Sequence, residues 1–121
     1  MNKLILYNGP NSPFGRKTKI AALIHDIPIE EKIIKVQESE FLDTFNPLRK
    51  IPTLVINENQ TIVDSDNICL YFDSISQKKT LFDQKNYWEI MTIISLANGL
   101  MEAGLERRME IIRPSNQQSK S

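Results

Sequence analysis

Three short segments of this chain carry groups that can do chemistry, and they follow one another in a fixed order. The first is Ser12–Arg16 (S-P-F-G-R), the second is Asn46–Pro52 (N-P-L-R-K-I-P), and the third is the pair Asp64 and Ser65. They offer, in turn, a hydroxyl at a predicted helix start, backbone amides beside a proline, and a carboxylate next to a hydroxyl. A small thiol that also carries carboxylate and ammonium groups would need all three.

Ser12 is the candidate for thiol chemistry. A serine followed by proline predicts a helix N-cap with Pro13 at the first helical position. A hydroxyl there can donate a hydrogen bond to a bound thiolate, and the helix N-terminus favours negative charge. The alternative is that Ser12 only caps the helix. Thiol–disulfide exchange is disfavoured, because it needs an attacking thiolate and the segment carries no C-x-x-C pair.

The other two segments offer groups for binding. If the Ile51–Pro52 bond is cis, the amide and carbonyl of Ile51 turn out of the sheet and can pair with an extended peptide, while Lys50 can meet a carboxylate. The Ser65 hydroxyl and amide can hold a second carboxylate, and Asp64 can pair with an ammonium group. For Asp64 and Ser65 the alternative is again helix capping.

Three further residues are weaker candidates. The Tyr7 phenol ends the first predicted strand and could also activate a thiol, but its alternation with neighbouring apolar residues favours a place on the sheet, so Ser12 is preferred. His25 is predicted to be a cap or surface residue rather than a base. Cys69 stands between apolar residues and is predicted to be a small buried hydrophobe.

Length and composition exclude several classes of protein. The 121 residues suffice for one ordinary domain, and 15 basic against 15 acidic residues predict neither a nucleic-acid nor a membrane-surface partner. No stretch predicts a signal peptide or a membrane span. The single cysteine, Cys69, excludes an intramolecular disulfide and fits a cytoplasmic location. We expect no metal cofactor.

The hydrophobic pattern predicts an α/β fold. The predicted elements are a strand (4–7), a helix (13–26), a strand (30–36), a helical turn (40–45), a hairpin (52–56 and 61–63), a helix (64–74), a long helix (85–113) and a disordered polar tail (115–121). The order βαβ then ββα matches a thioredoxin-like domain, which we place at residues 1–76. Residues 85–121 form the second predicted region.

The long predicted helix needs a partner for its apolar stripe. Roughly 28 residues at about 1.5 Å each make a rod about 42 Å long, more than the small domain needs. Either the chain dimerises through this stripe, or the helix is the front part of something longer. The stripe consists of Trp88, Met91, Ile94, Leu105, Met109 and Ile112.

Taken together, the segments resemble the glutathione S-transferase family, in particular its serine-type bacterial members. Residues 12–17 fit the S-P-F-x-R-K start, residues 46–54 fit N-P-x-x-K-[IV]-P-x-L, and residues 64–72 fit [ED]-S-x-x-I-x-x-Y-[LIF]. Residues 96–103 and the pair Arg113-Pro114 resemble the first helix of the family's all-helical domain. The resemblance extends to about Gln118.

The resemblance implies a set of site residues. Ser12 would be the catalytic residue that stabilises the thiolate of glutathione. Ile51 would be the backbone partner of the cysteinyl part, preceding a cis Pro52. The γ-glutamyl end would be held by Asp64 and Ser65.

For the glycyl carboxylate, Lys50 is implied as the partner. Glutathione would then be the co-substrate, and its thiolate would attack an electrophilic carbon of a small second substrate to form a thioether. The resemblance also implies a homodimer, built through the helices that start near Ser65 and Lys85.

Family members continue through several more helices that wall the electrophile pocket. The sequence therefore predicts a thioredoxin-like domain followed by one long helix of a truncated all-α domain, with low stability or self-association as the consequence. Alternatives to a transferase are a non-catalytic module that binds glutathione or a protein, and an inactive fragment.

Overall fold

The computed structural model describes residues 3–119 and divides the chain between Asp83 and Gln84 into two compact units. We call the first the sheet unit and the second the helical unit.

The sheet unit contains one mixed four-stranded sheet. Its strands are β1 (Leu4–Asn8), β2 (Ile29–Ile33), β3 (Thr53–Asn57) and β4 (Gln60–Val63), in the spatial order β2-β1-β3-β4. The pair β1 and β2 is parallel, whereas β3 is antiparallel to both of its neighbours. The helices are α1 (Pro13–Ile24) and α2 (Ser65–Ile75), with short 3-10 segments at Val36–Glu38 and Glu40–Thr44. This arrangement confirms the predicted thioredoxin-like α/β fold.

Both faces of the sheet are covered. Successive residues of β1 point to opposite faces, and four of its five residues are buried. Leu4 and Leu6 point to one face, where Leu54 of β3 and Ile68 of α2 are also buried. The opposite face carries a second cluster around Tyr7, Leu42 and Val55. Partly buried side chains that pack against this second cluster are Ile5, Ile34, Val36, Phe45 and Ile51.

The buried face of α1 differs from the one that its large aliphatic residues suggest. The helix buries its small residues Gly15, Thr18, Ala21 and Ala22. Small side chains let helices and strands approach closely, and α1 packs against α2. The aliphatic residues that reveal the helix period remain largely exposed, namely Ile20 (50%), Leu23 (67%) and Ile24 (49%).

The helical unit consists of α3 (Tyr87–Ile112), preceded by a 3-10 turn at Gln84–Asn86. No residue of α3 is buried. Within residues 3–119, no helix combines the length and the apolar character needed to span a membrane.

The prediction of a disordered tail is wrong for residues 115–119. A 3-10 turn occupies Ser115–Gln117. The Gln118 side-chain amide donates to the carbonyls of Ile111 and Arg113, at 3.0 and 2.9 Å, because these carbonyls at the helix end have no intrahelical partner. Residues 120 and 121 lie outside the described residues.

Candidate functional site

Ser12 stands where β1 turns into α1, and it is the N-cap of that helix. Its Oγ accepts a hydrogen bond from the Gly15 amide at 3.1 Å. Accepting this bond occupies a lone pair of the hydroxyl and leaves its proton available to donate. Capping and thiolate stabilisation are therefore compatible roles for the same side chain.

Two glycines allow the turn around Ser12 to pack tightly. A Cβ on Gly15 would lie 1.5 Å from Oδ1 of Asn8, a buried side chain whose oxygen accepts from the Gly9 amide. A Cβ on Gly9 would lie 2.3 Å from Cδ1 of Ile51. The close approach at Gly9 brings the loop of the second motif next to the Ser12 turn.

The Ile51–Pro52 peptide bond is cis, as predicted. Because β3 begins at Thr53, the amide and carbonyl of Ile51 lie outside the strand ladder. The buried Asn46 fixes this loop, since its Nδ2 donates to the Lys50 carbonyl and to the Thr53 hydroxyl, both at 3.1 Å. The role of the Asn46 side chain is not predicted from the sequence, although an asparagine before proline is a common turn signal.

An ion pair on the outside of this loop supports the same turn. Arg49 has a φ of 47°, an uncommon conformation for a residue other than glycine. Its guanidinium donates to both carboxylate oxygens of Asp43, at 2.7 and 2.6 Å. The hydrogen bond from Arg49 lowers the pKa of Asp43 below its usual value.

Asp64 and Ser65 form the start of α2. Asp64 has a φ of 75° and is the N-cap, and its Oδ1 accepts from the Asp66 amide at 3.3 Å. Ser65 is buried. Within the described chain, no hydrogen bond of the Ser65 hydroxyl is found.

The first turns of α1 and α2 are tied together near these residues. Lys17 Nζ lies 2.5 Å from Oδ1 of Asp66 and 5.8 Å from the centroid of the Phe14 ring. Asp66 thus takes part in an ion pair. This contact holds the starts of α1 and α2 in a fixed relation.

A cavity of about 260 Å³ gathers five of the six predicted site residues. We call it the cis-proline cavity, and its lining includes Phe14, Lys50, Ile51, Pro52, Asp64 and Ser65. Phe14 is an addition to the predicted set.

Ser12 does not line this cavity but the one beside it. The neighbouring space of about 190 Å³, which we call the Ser12 cavity, is lined by Asn8, Gly9, Ser12, Arg16, Lys19 and Glu31, among others. Gly9 connects the two cavities, since a Cβ there would be 4.0 Å from Cβ of Ser12 and would clash with the Ile51 side chain.

Two of the weaker candidates, Tyr7 and His25, are buried in the sheet unit. Tyr7 is buried, and its ring packs at 5.3 Å from that of Phe41 and 6.1 Å from that of Phe45. His25 is the C-cap of α1 but is buried, which corrects the idea of a surface residue. Its Nε2 lies 3.2 Å from Oδ1 of Asp73 without hydrogen-bond geometry.

Cys69 is buried, as its apolar neighbours in the sequence predict. Burial raises the pKa of its thiol from 9.0 to about 11. The part of the chain that the structure describes contains no group of three or more histidine, cysteine, aspartate or glutamate side chains that could hold a metal ion.

The comparisons with known proteins agree with this architecture. A family model described as glutathione S-transferase, N-terminal domain, matches residues 6–80. A relative from Escherichia coli (strain K12), described as the uncharacterized GST-like protein YibF, is 33% identical over 111 residues, which make up 89% of this chain and 55% of that protein.

Solved structures are similar over nearly the whole chain. A glutathione S-transferase from Methylobacillus flagellatus KT with glutathione bound has a TM-score of 0.89 at 26% identity, covering 98% of this chain and 60% of that one. A glutathione transferase family member from Pseudomonas fluorescens Pf-5 with bound glutathione has a TM-score of 0.85 at 27% identity, covering 98% and 62%.

The fold of a thioredoxin-like sheet unit followed by a long helix is thus shared with glutathione transferases. The chain belongs to the glutathione S-transferase family. It spans 55% of the length of the curated relative it matches and about three fifths of the two solved structures.

Proposed function

We propose that this chain binds glutathione across the cis-proline cavity, with the thiol directed at Ser12. The observation that carries the proposal is the convergence of five predicted site residues on one cavity beside the Ser12 turn. Four of them offer a group that matches one part of the tripeptide, and the fifth, Pro52, forms the cis bond with Ile51. Glutathione is bound in the two solved relatives.

The backbone of Ile51 pairs with the cysteinyl part, because its amide and carbonyl lie outside the ladder at the β3 end. At the start of α2, the Ser65 hydroxyl and amide hold the γ-glutamyl carboxylate, and Asp64 pairs with the ammonium group. Lys50 is exposed at the cavity and meets the glycyl carboxylate.

Ser12 stabilises the thiolate by donating a hydrogen bond from its hydroxyl to the sulfur. The thiol proton passes to solvent, and the thiolate electron pair forms a carbon–sulfur bond with an electrophilic carbon while the leaving group departs with its own pair. The activity is therefore a glutathione transfer to a small electrophile.

A calorimetric titration of the full chain with glutathione tests the binding step. We expect millimolar or tighter affinity and a loss of about tenfold in Ser65→Ala, since one charge-assisted hydrogen bond contributes about 1.5 kcal/mol. Ser74→Ala is the matched control, because Ser74 is exposed on the same helix and its hydroxyl donates to the backbone carbonyl of Tyr71. A folded chain that does not bind glutathione contradicts the proposal.

Turnover separates a transferase from a binding module. With an aryl halide as electrophile, a transferase forms the thioether and Ser12→Ala reduces the rate far more than it reduces glutathione affinity. Glutathione binding without turnover identifies a non-catalytic module on the same fold.

We further propose that the chain forms a homodimer in the cytoplasm. The exposed apolar side chains of α3, among them Trp88 (78%), Leu96 (70%) and Leu100 (76%), need cover, and burial in a dimer supplies it. Light scattering after size exclusion should give twice the monomer mass, and Leu96→Glu with Leu100→Glu should reduce the fraction of dimer. A chain that stays monomeric at all concentrations contradicts the proposed homodimer.

A further inference from the structure

The Ser12 cavity carries more positive than negative charge. It is lined by two basic side chains, Arg16 and Lys19, and by one carboxylate, Glu31. Lys19 Nζ lies 3.2 Å from Oε1 of Glu31, so these two charges largely offset each other. Oε2 of Glu31 also accepts from Asn8 at 3.2 Å, which fixes the carboxylate in place.

Arg16 supplies the remaining charge. It follows Ser12 by one helical turn, and its amide donates to the Ser12 carbonyl at 3.0 Å, so the two side chains lie on the same side of α1. No ion pair or hydrogen bond of the Arg16 guanidinium is found within residues 3–119. A guanidinium is always ionised and is suited to bidentate pairing with a carboxylate.

The two cavities lie on opposite sides of the end of β1. The cis-proline cavity is lined from the loop that leads into β3, from the end of β4 and from the start of α2, whereas the Ser12 cavity is lined from β2 through Glu31 and Ile33. Because β1 stands between β2 and β3 in the sheet, a thiolate at Ser12 with its peptide in the cis-proline cavity has its open side toward the Ser12 cavity.

We propose that the electrophile taken by this chain carries a carboxylate, which binds to Arg16 in the Ser12 cavity. This inference rests on the proposed glutathione site and names the chemical class of the second substrate. Arg16 is then a specificity-determining residue, and Glu31 limits the strength of the preference by its opposing charge.

Equilibrium binding tests the inference without requiring turnover. The probes are glutathione, S-(2-carboxyethyl)glutathione and S-(2-carbamoylethyl)glutathione, of which the last two have the same size and differ by one charge. We expect the acid to bind about fivefold more tightly than the amide at low salt, as for a partly exposed ion pair, and the ratio to fall as salt is added.

Two substitutions should move this ratio in opposite directions. Arg16→Gln should bring it to about one, and Glu31→Gln should raise it about threefold, since it removes the opposing charge and keeps the side-chain size. Lys79→Gln is the control, because it removes one exposed positive charge that lines neither cavity and should leave the ratio unchanged.

The outcomes distinguish the inference from the proposed function. If glutathione binds but acid and amide bind equally, or if Arg16→Gln leaves the preference intact, the inference is wrong and the glutathione site stands. If none of the three probes binds the folded chain, the proposed function is wrong and the inference fails with it. Circular dichroism of each variant confirms that the comparison is made on folded protein.

Discussion

At the scale of single residues, the site depends on side chains that serve the fold and still have a group to offer. The Ser12 hydroxyl accepts from the Gly15 amide and keeps its proton. The hydroxyl of Ser65, a buried residue next to the capping carboxylate of Asp64, makes no hydrogen bond that is found in the described chain. These two hydroxyls are therefore the side chains whose removal should affect a ligand more than it affects the fold.

The thiol pKa of bound glutathione should depend on the Ser12 proton. A hydrogen bond to the charged form favours ionisation, so we expect Ser12→Ala to raise this pKa by about one unit, which corresponds to about 1.4 kcal/mol. Thiolate absorbance in the ultraviolet, followed as a function of pH, measures it. Ser12→Thr retains the hydroxyl and the cap and should restore the lower value, whereas an unchanged pKa in Ser12→Ala would show that Ser12 is only a cap.

Cys69 should be unreactive in the folded chain. Burial raises its thiol pKa from 9.0 to about 11, so the thiolate fraction near neutral pH falls about 100-fold. Because the pKa of Cys69 is higher in the folded chain, the thiol of the unfolded chain ionises first as the pH rises. The stability that depends on the neutral thiol is therefore fully present below pH 9 and is lost as the pH rises through about 11. Reaction with a disulfide reagent at pH 8 should be about 100-fold slower, or more, than in urea, and equal rates would contradict the burial of Cys69.

At the scale of elements, the site is positioned by close contacts between β1, α1 and the cis-proline loop. Gly15 of α1 leaves room for Asn8 of β1, and Gly9 leaves room for Ile51. Asn8 in turn binds Glu31 of β2. Residues next to the Ser12 turn therefore contact α1, β2 and the cis-proline loop.

Gly15→Ala should destabilise the sheet unit. The added methyl group would lie 1.5 Å from Oδ1 of the buried Asn8, and we expect a loss of about 1–3 kcal/mol in the free energy of unfolding. Gly99→Ala is the matched control. It also replaces a helical glycine but has open space around it, so it should stabilise α3 by up to about 1 kcal/mol. Urea unfolding measures both, and a neutral Gly15→Ala would show that Asn8 can move aside.

At the scale of the whole molecule, the candidate site belongs to the sheet unit. Every predicted site residue lies before Asp83, where the chain divides. The end of the unit is anchored internally, since the Asp73 carboxylate accepts from the Leu81 amide at 2.6 Å and Phe82 is buried. The predicted binding groups therefore all come from the sheet unit.

A fragment of residues 1–83 should fold and bind glutathione within about threefold of the full chain, because its core and its site are both internal to it. Calorimetry on the fragment and the full chain makes the comparison. A fragment that unfolds would show that the helical unit contributes to stability, and a folded fragment that loses binding would show that it contributes to the site.

Local sequence signals made much of the fold and of the candidate site predictable. Capping by Ser12 and Asp64, proline at Pro13 and Pro52, and the periods of helices and strands act over a few residues, so the order of elements and the position of each motif follow from sequence alone. The serine-type start and the cis-proline segment were further recognised by their resemblance to a family. The lengths of elements were less well predicted, as for the strand predicted at 30–36 and found at Ile29–Ile33.

Contacts between distant residues were decided only by the tertiary structure. Sequence alone determined that α1 is a helix, but packing against α2 selected its small residues rather than Leu23 for the buried face. The burial of His25 beside Asp73 has the same origin. Only the fold brings Glu31 of β2 next to Arg16 and Lys19 of α1, because α1 is the helical crossover that connects the parallel strands β1 and β2.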